Sequence, residues 1–356
     1  MTAIAHINRI GCAVPRHDVH HDFVGFAATL MREPRGQALF QRMAERAGIE
    51  HRWSCLEPAR HGSNGAITAD NFYRRSRFPS TGERMERYER EAPALAAAAV
   101  ERLGLGEERR RISHLIVATC TGFSAPGLDL EIVHRCGLDP AVERTIVGFM
   151  GCYAGVSALR LGHHIVRSDP AARVLIVAAE LCTLHFQESD DIEQVLSFLI
   201  FGDGAAAALV SAAPEGLALD RFHTALLPHA ADEITWRIGD LGFDMLLSGQ
   251  VPQTIAEALR DGAALGGIDH RAIRLWAVHP GGRSVLDAVE SALALDPAAL
   301  ALSRAVLRRY GNMSSATVLF VLAALLRAQG EAGARGCAMA FGPGLTAETM
   351  LFRRAA

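Results

Sequence analysis

Short apolar runs alternate along this chain with longer segments in which apolar residues recur every three or four positions. The runs HLIVATC (114–120), TIVGFM (145–150), ARVLIVAAE (172–180), AAAALVS (205–211), LWAVHP (275–280) and GCAMAFG (336–342) are predicted strands. Most are apolar throughout rather than alternating, as strands covered on both faces by helices are. Helical spacing predicts helices over 82–103, 151–168, 190–200, 250–263, 284–294, 300–310 and 314–328. The longest apolar run, TVLFVLAALL (317–326), is about half the length that spans a bilayer, so it reads as a buried helix. This order predicts an α/β fold. The stretch SAAPEGLALD (211–220) is the expected boundary between a unit of residues 1–212 and one of 213–356, two similar halves. The segment 58–83, rich in Gly, Ser, Arg and Asn, reads as a surface excursion.

Composition narrows the function classes. The 356 residues are 50% hydrophobic and 21% charged, with a net charge of −3. No polybasic surface advertises nucleic acid or membrane. The start, MTAIAHINRIGCAVPRHD, shows no cationic stretch followed by an apolar core, so no secretory signal is expected. Seven cysteines (12, 55, 120, 136, 152, 182, 337) form no CxxC pair and leave one over, which predicts free thiols in a reducing cytoplasm.

Candidate chemistry begins at VGFMGCYAGVSALRLGHHIV (147–166), where an apolar run ends in Met150-Gly151 and a helix pattern starts behind Cys152. A cysteine in the first turn of a helix feels the positive end of the dipole, which favours the thiolate. Gly151 and Gly155 permit a tight turn and close backbone approach. Two readings stay open on this stretch, a buried structural thiol and a nucleophile. A thiolate nucleophile usually comes with a histidine and often an amide. VHPGG (278–282) sets His279 at the end of an apolar strand, and RRYGNMSSA (308–316) sets Asn312 in a Gly-containing turn where Ser314 or Ser315 can cap the next helix. Cys152 and His279 both lie beyond the carboxyl ends of strands, where open α/β sheets bind ligands.

Together, MGCYAG around Cys152, FGDGAAAALV (201–210), HPGGRSVLDAVESALAL (279–295), YGNMSSATVLF (310–320) and FGPGLTAE (341–348) resemble the type III polyketide synthases, the group of chalcone and stilbene synthases. The resemblance runs from about residue 5 to the end. It implies a thiolase-like five-layered αβαβα fold of two similar halves and an obligate homodimer. It implies that Cys152 accepts the acyl group of an acyl-CoA and that His279 and Asn312 bind thioester oxygens, with His279 also holding the thiolate as an ion pair. Malonyl-CoA would then extend the chain by decarboxylative condensation, without metal or resident cofactor. Phe201 and Phe243 (in LGFDMLLSG) match two phenylalanines at the junction of the CoA tunnel and the reaction cavity. Arg42 and Arg46, four apart on one helix face, match two basic CoA contacts, whereas a third basic position is Leu39 here.

Other departures bear on the product. Cys120 stands where plant members carry Thr, Ala125 where they carry Met, and Ile234 where many have Gly; His185 in ELCTLHFQ occupies another cavity position. Cys120, His185, Ile234 and Ser314 complete the expected substrate-binding set. They imply an aliphatic starter and a pyrone- or resorcinol-type product rather than chalcone. The alternatives are a phloroglucinol- or tetrahydroxynaphthalene-type synthase fed by malonyl-CoA, a β-ketoacyl synthase that condenses once, and a silent acyl-CoA-binding protein. HDVHHD (17–22) has His and Asp spacing, but no partner motif supports a metal; it reads as a polar loop before a helix that Asp22 caps. His163 and His164 face different sides of their helix and carry no expected role.

Overall fold

The computed structural model describes residues 3–59 and 65–355. Up to residue 211 the chain forms β1 (His6–Ala13), β2 (His17–Asp18), α1 (His20–Ala28), α2 (Pro34–Arg46), β3 (Trp53–Ser54), α3 (Thr81–Glu101), β4 (His114–Thr119), α4 (Leu128–Cys136), β5 (Glu143–Gly148), α5 (Ala154–Ser168), β6 (Val174–Leu181), α6 (Ile192–Leu199) and β7 (Asp203–Ser211). From residue 217 it forms β8 (Leu217–Leu226), β9 (Ile234–Gly239), β10 (Gly242–Leu247), α7 (Val251–Arg260), β11 (Leu275–Val278), α8 (Arg283–Ala292), α9 (Ala301–Tyr310), α10 (Thr317–Arg327), β12 (Arg335–Gly342) and β13 (Thr346–Arg354).

Nine strands hydrogen-bond in the order β11-β12-β13-β8-β1-β7-β6-β4-β5. The pairs β4–β5, β4–β6 and β11–β12 are parallel and the others antiparallel, so the sheet is mixed. Among the described residues, strands from before and after residue 212 meet only at β1–β8, through His6 opposite Ala218 and Ile7 opposite Leu217. Three apolar clusters give the layers. One packs α3 and its neighbours on the outer face of β4, β6 and β7. The second sets α5 and α10 between strands of both groups, from Ile116 and Ala206 to Ala277 and Ala338. The third packs α7 and α8 on the outer face of β11 and β12. Helices and strands therefore stack α–β–α–β–α, the thiolase-like arrangement.

Local sequence accounts for the element ends. Ser80 and Glu83 form a reciprocal capping box that starts α3, satisfying two backbone N–H groups that the helix leaves free. The run from Thr317 to Ala323 is buried throughout, which is why α10 carries no polar face. Among the described residues no helix is long and apolar enough to cross a membrane.

Each predicted strand and helix is present, with ends shifted by a few residues. Strands β1, β8 and β13 and the β9–β10 hairpin escape the apolar-run pattern, because they carry polar side chains that only tertiary contacts satisfy. Glu348 in β13 is 3% exposed and is held by Arg160 and Thr224. The run at 145–150 differs from its reading as a covered strand. It forms β5 over Glu143–Gly148 at the sheet edge, with Thr145 and Ile146 exposed. The excursion at 58–83, of which 60–64 lie outside the described residues, packs back on the molecule. Tyr73 is buried, donates to Thr183 O at 2.9 Å and accepts from Arg84 Nη1 at 2.8 Å. Asp22 does not cap α1: Val19 is the N-cap, and Asp22 lies inside the first turn.

Candidate active site

Three chain segments bring the candidate residues together. The first follows β5. Gly151 adopts φ +75°, and a side-chain carbon there would collide with Pro343, so the turn demands glycine. A 3-10 turn, Gly151–Tyr153, carries Cys152 and leads into α5. Cys152 thus sits in a lead-in turn rather than within the first α-helical turn. Gly155 lets α5 press against the backbone carbonyl of Ser315, where a β-carbon would clash. This draws the Cys152 turn onto the segment that bears Asn312.

That second segment ends α9. Asn312 N donates to Ile200 O at 2.7 Å, and Gly202 N donates to Asn312 O at 3.0 Å, so Phe201 and Asn312 are locked as neighbours. The side-chain oxygen of Asn312 accepts from Ser314 N at 2.9 Å and from the Thr317 hydroxyl at 3.4 Å. Nδ2 donates to Gly281 O at 3.3 Å and stands 3.9 Å from Cys152 Sγ, while the thiol can donate to the Asn312 oxygen at 4.0 Å. Neither Ser314 nor Ser315 caps α10, whose N-cap is Ala316 with no side-chain bond. Ser314 is buried beside Asn312, and the Ser315 hydroxyl donates to Glu180.

The third segment follows β11. His279 N donates to Met339 O at 2.7 Å, which continues the β11–β12 ladder by one residue. Its ring is 1% exposed, and neither ring nitrogen has a partner among the described residues. A side-chain carbon on Gly281 would stand 3.9 Å from His279 Nε2, so Gly281 lies between the imidazole and the Asn312 amide. A thiol, an amide N–H and an unpaired imidazole gathered around Gly281 have the chemistry to accept an acyl group and hold a developing oxyanion.

Burial pushes the Cys152 thiol up to about 11, against smaller lowering from Ser314 and Asn312. Burial alone pushes His279 down to about 3. Burial thus opposes charge on the thiol and on the imidazole alike. Among the described residues no cation stands near enough to offset desolvation, and the nearest buried carboxyl works against the thiolate.

That carboxyl, Glu180, was not singled out in the sequence. It accepts from Cys120 N at 3.0 Å and from the Thr121 hydroxyl at 2.8 Å, as well as from Ser315. Burial raises it to about 7, against these lowering bonds. An acid ending the wholly apolar run ARVLIVAAE was its available signal. Cys120 is buried next to the same turn: Gly151 N donates to its sulfur at 3.0 Å, and burial holds its thiol well above the ordinary value.

An aromatic wall completes the site. Phe243 is 1% exposed and stacks on His185 at 4.0 Å between centroids. Phe149 and Trp236 meet Phe243 edge-on, and Phe201 meets Trp236. His185 was expected to line the cavity as a polar group. Instead its Nε2 donates to Thr121 O at 2.7 Å and its Nδ1 accepts from Phe243 N at 3.2 Å, so both nitrogens are used to brace the wall. Trp236, missed in the sequence, donates to Cys120 O at 3.2 Å and ties the β9–β10 hairpin to the nucleophile side. Ile234 lies two residues before it, on the same strand face, and packs with the outer cluster around Val251.

Arg42 and Arg46 are both exposed on α2, with Arg46 at its last position. Arg283, which follows HPGG, donates to Arg46 O at 3.3 Å and brings a third guanidinium to this corner. In HDVHHD, Asp18 bonds His51 Nδ1 at 2.6 Å and Arg52 N at 3.2 Å. Among the described residues no group of three or more His, Cys, Asp or Glu side chains is arranged to hold a metal. His163 is buried and His164 exposed, on different sides of α5.

Comparison with known proteins gives one answer across the chain. Residues 2–214 match the family described as chalcone and stilbene synthases, N-terminal domain, and residues 219–356 its C-terminal domain. The chain is 34% identical to bisdemethoxycurcumin synthase of Oryza sativa subsp. japonica, over 98% of this chain and 92% of that protein. It is 32% identical to the alpha-pyrone synthesis polyketide synthase-like Pks18 of Mycobacterium tuberculosis, over 99% and 91%. Among solved structures, the 1,3,6,8-tetrahydroxynaphthalene synthase of Streptomyces coelicolor superposes with a TM-score of 0.87 at 31% identity, covering 99% of each chain. PKS-I of the brown alga Ectocarpus siliculosus superposes at 0.86 with 29% identity, covering 99% of each. The chain therefore belongs to the chalcone and stilbene synthase family, the type III polyketide synthases, decarboxylating condensing enzymes of the acyltransferase type.

Proposed function

We propose that Cys152 carries the acyl chain, that His279 and Asn312 bind the oxygens on which charge develops, and that the enzyme makes an alkylpyrone or alkylresorcinol-type product from an aliphatic acyl-CoA. The observation that carries this reading is the orientation of Asn312. Its carboxamide faces Cys152, with Nδ2 3.9 Å from the sulfur while the oxygen also accepts from Ser314 N, beside an imidazole with both nitrogens unpaired among the described residues. In loading, Cys152 Sγ forms a bond to the thioester carbon and CoA leaves as its thiol. The thiol proton passes to His279 as the new bond forms, so the two charges arise together in a site that opposes either alone, and His279 then gives that proton to the departing CoA sulfur. Malonyl-CoA then loses CO₂, and the resulting enolate oxygen accepts from His279 and Asn312. Its carbon attacks the Cys152 thioester, the thiolate leaves, and the chain is two carbons longer. The chemistry calls for no resident cofactor, because decarboxylation supplies the carbanion.

Arg42 and Arg46, joined at their corner by Arg283, suit the phosphates of CoA. The largely apolar wall around Phe243 supports an alkyl starter, since each buried CH₂ contributes about 0.8 kcal/mol. The name of the mycobacterial relative, alpha-pyrone synthesis, agrees. A homodimer fits the bare edge strand β5, where Ile146 is 44% exposed, with Phe123 and Met150 also exposed. Sedimentation should give about twice the 38.2 kDa chain mass, and a monomer at micromolar concentration overturns the dimer.

The functional test is one panel. Purified protein is incubated with malonyl-CoA and starters from acetyl-CoA to stearoyl-CoA plus an aromatic one. Wild type should show a single acyl adduct at Cys152 and rising efficiency from acetyl to at least octanoyl. Cys152→Ala should show no adduct. An adduct persisting at Cys120 or Cys182 moves the nucleophile, and a preference for malonyl-CoA alone or for the aromatic starter removes the aliphatic reading.

A further inference from the structure

The β9–β10 hairpin is a two-stranded sheet of its own, outside the nine-stranded ladder. Arg237 and Asp244 pair on its outer face and are exposed. Trp236 and Met245 pair on its inner face, which Phe243 shares. The hairpin is therefore a wall, with water on one side and the aromatic cluster of the site on the other.

Trp236 fills that wall and fastens it. Its ring meets Phe201 at 6.4 Å, Phe243 at 6.1 Å and His185 at 5.9 Å between centroids, edge-on in each case. Among the described residues the rings of Phe201 and Phe243 do not meet each other, so the indole is what joins them. Phe201, Phe243 and His185 are at most 4% exposed, whereas Trp236 is only partly buried. An indole N–H taken out of water needs an acceptor, and Nε1 donates to Cys120 O at 3.2 Å. That bond fixes the direction in which the ring points.

Two short routes lead from the indole to the nucleophile. Cys120 accepts the indole N–H on its carbonyl and, on its sulfur, the N–H of Gly151 at 3.0 Å, one residue before Cys152. Phe201 is paired with Asn312, whose Nδ2 stands 3.9 Å from Cys152 Sγ. Trp236 thus bears on both sides of the site, through residues that themselves bear on Cys152. A chain held there lengthens by two carbons at each condensation, so the space left beside the sulfur limits how far it grows.

We infer that Trp236 closes the space beside Cys152 in which the polyketide chain grows, and that its bulk sets how many malonyl units are added before release. This rests on the reading of Cys152 as the acyl carrier. A single methylene in an apolar pocket discriminates by about 10- to 200-fold, so two carbons that the indole excludes are enough to leave one dominant product. A smaller side chain lets the chain run one unit further, and phenylalanine keeps a ring between Phe201 and Phe243.

The test gives octanoyl-CoA and malonyl-CoA to wild type, Trp236→Ala, Trp236→Leu and Trp236→Phe. Mass spectrometry follows both the acyl adduct at Cys152 and the products. In Trp236→Ala, the ratio of products one malonyl unit longer to the wild-type product should rise at least about tenfold. Trp236→Leu should raise it less, and Trp236→Phe should stay near wild type. An unchanged ratio in Trp236→Ala, with the Cys152 adduct formed, overturns the inference, even where Tm falls, because the indole then only supports the fold. A shift to shorter products overturns it as well. If Trp236→Phe lengthens the product as far as Trp236→Ala does, the bond to Cys120 sets the length and the claim about bulk falls. Should Trp236→Ala fail to fold, the ratio in Trp236→Leu takes its place. No adduct at Cys152 in wild type defeats the acyl-carrier reading itself, whereas an adduct with an unchanged ratio defeats only the role of Trp236.

Discussion

His279 and His185 are the same residue at the same depth, and burial drives both imidazoles down to about 3. They differ in what their nitrogens touch. His185 gives one N–H to Thr121 O, accepts Phe243 N–H with the other nitrogen, and stacks flat on Phe243. His279 touches no polar partner with either nitrogen among the described residues and stands across Gly281 from the Asn312 amide that faces Cys152. Burial and a displaced pKa therefore do not distinguish a bracing histidine from a reactive one. The hydrogen-bond inventory does, because native proteins rarely leave buried polar atoms unpaired unless a ligand completes them.

The largest test of this contrast is catalytic. His279→Ala and Asn312→Ala should each lower malonyl-CoA decarboxylation by roughly a hundredfold or more, the scale of a lost oxyanion donor. The double variant should lose far less than the product, because the two act on one oxygen. Decarboxylation at the wild-type rate in either variant would make that residue structural and dissolve the contrast.

Stability should run the other way. Removing His185 leaves Thr121 O and Phe243 N–H without partners, at about 1–3 kcal/mol for each buried group. His279→Ala orphans nothing. In urea unfolding, His185→Ala should be destabilised by about 2 kcal/mol or more beyond His279→Ala. Equal losses would mean that the bonds of His185 contribute little.

The smallest effect is the pH profile, where the two histidines should behave alike. Each has a folded pKa of about 3, below the ordinary value near 6.5. A depressed pKa stabilises the fold above the unfolded value, and this contribution is lost as pH falls from about 6.5 toward 3. Tm should drop as pH falls through that window, and either histidine replaced by Gln should flatten the curve. A Tm constant down to pH 4 would contradict the burial of both rings.

Much of the architecture was legible in the sequence, for identifiable reasons. The strand runs at 114–120, 172–180 and 205–211 are buried on both faces, so nearly every residue in them is apolar and the pattern is plain. Strand β13 was not, because Thr346, Glu348 and Thr349 are buried polar residues whose partners lie mostly far off in the chain. Cys152, His279 and Asn312 were legible through the motifs around them. Glu180 and Trp236 were not, since each acts by reaching a backbone or side-chain atom that no local spacing reveals.

By itself the sequence determined the order of the apolar strands and of the helices that alternate with them, the buried helix at 317–326, and the glycines that let Cys152 turn tightly between β5 and α5. Those features rest on local periodicity and backbone freedom, which a short window of residues carries. Only the tertiary structure decided that three distant segments meet at Gly281, that burial opposes charge on both thiol and imidazole, that His185 braces while His279 stays free, and that β5 lies bare at the sheet edge. Each of these depends on which atoms exclude water from which others, and that is a property of packing across the chain rather than along it.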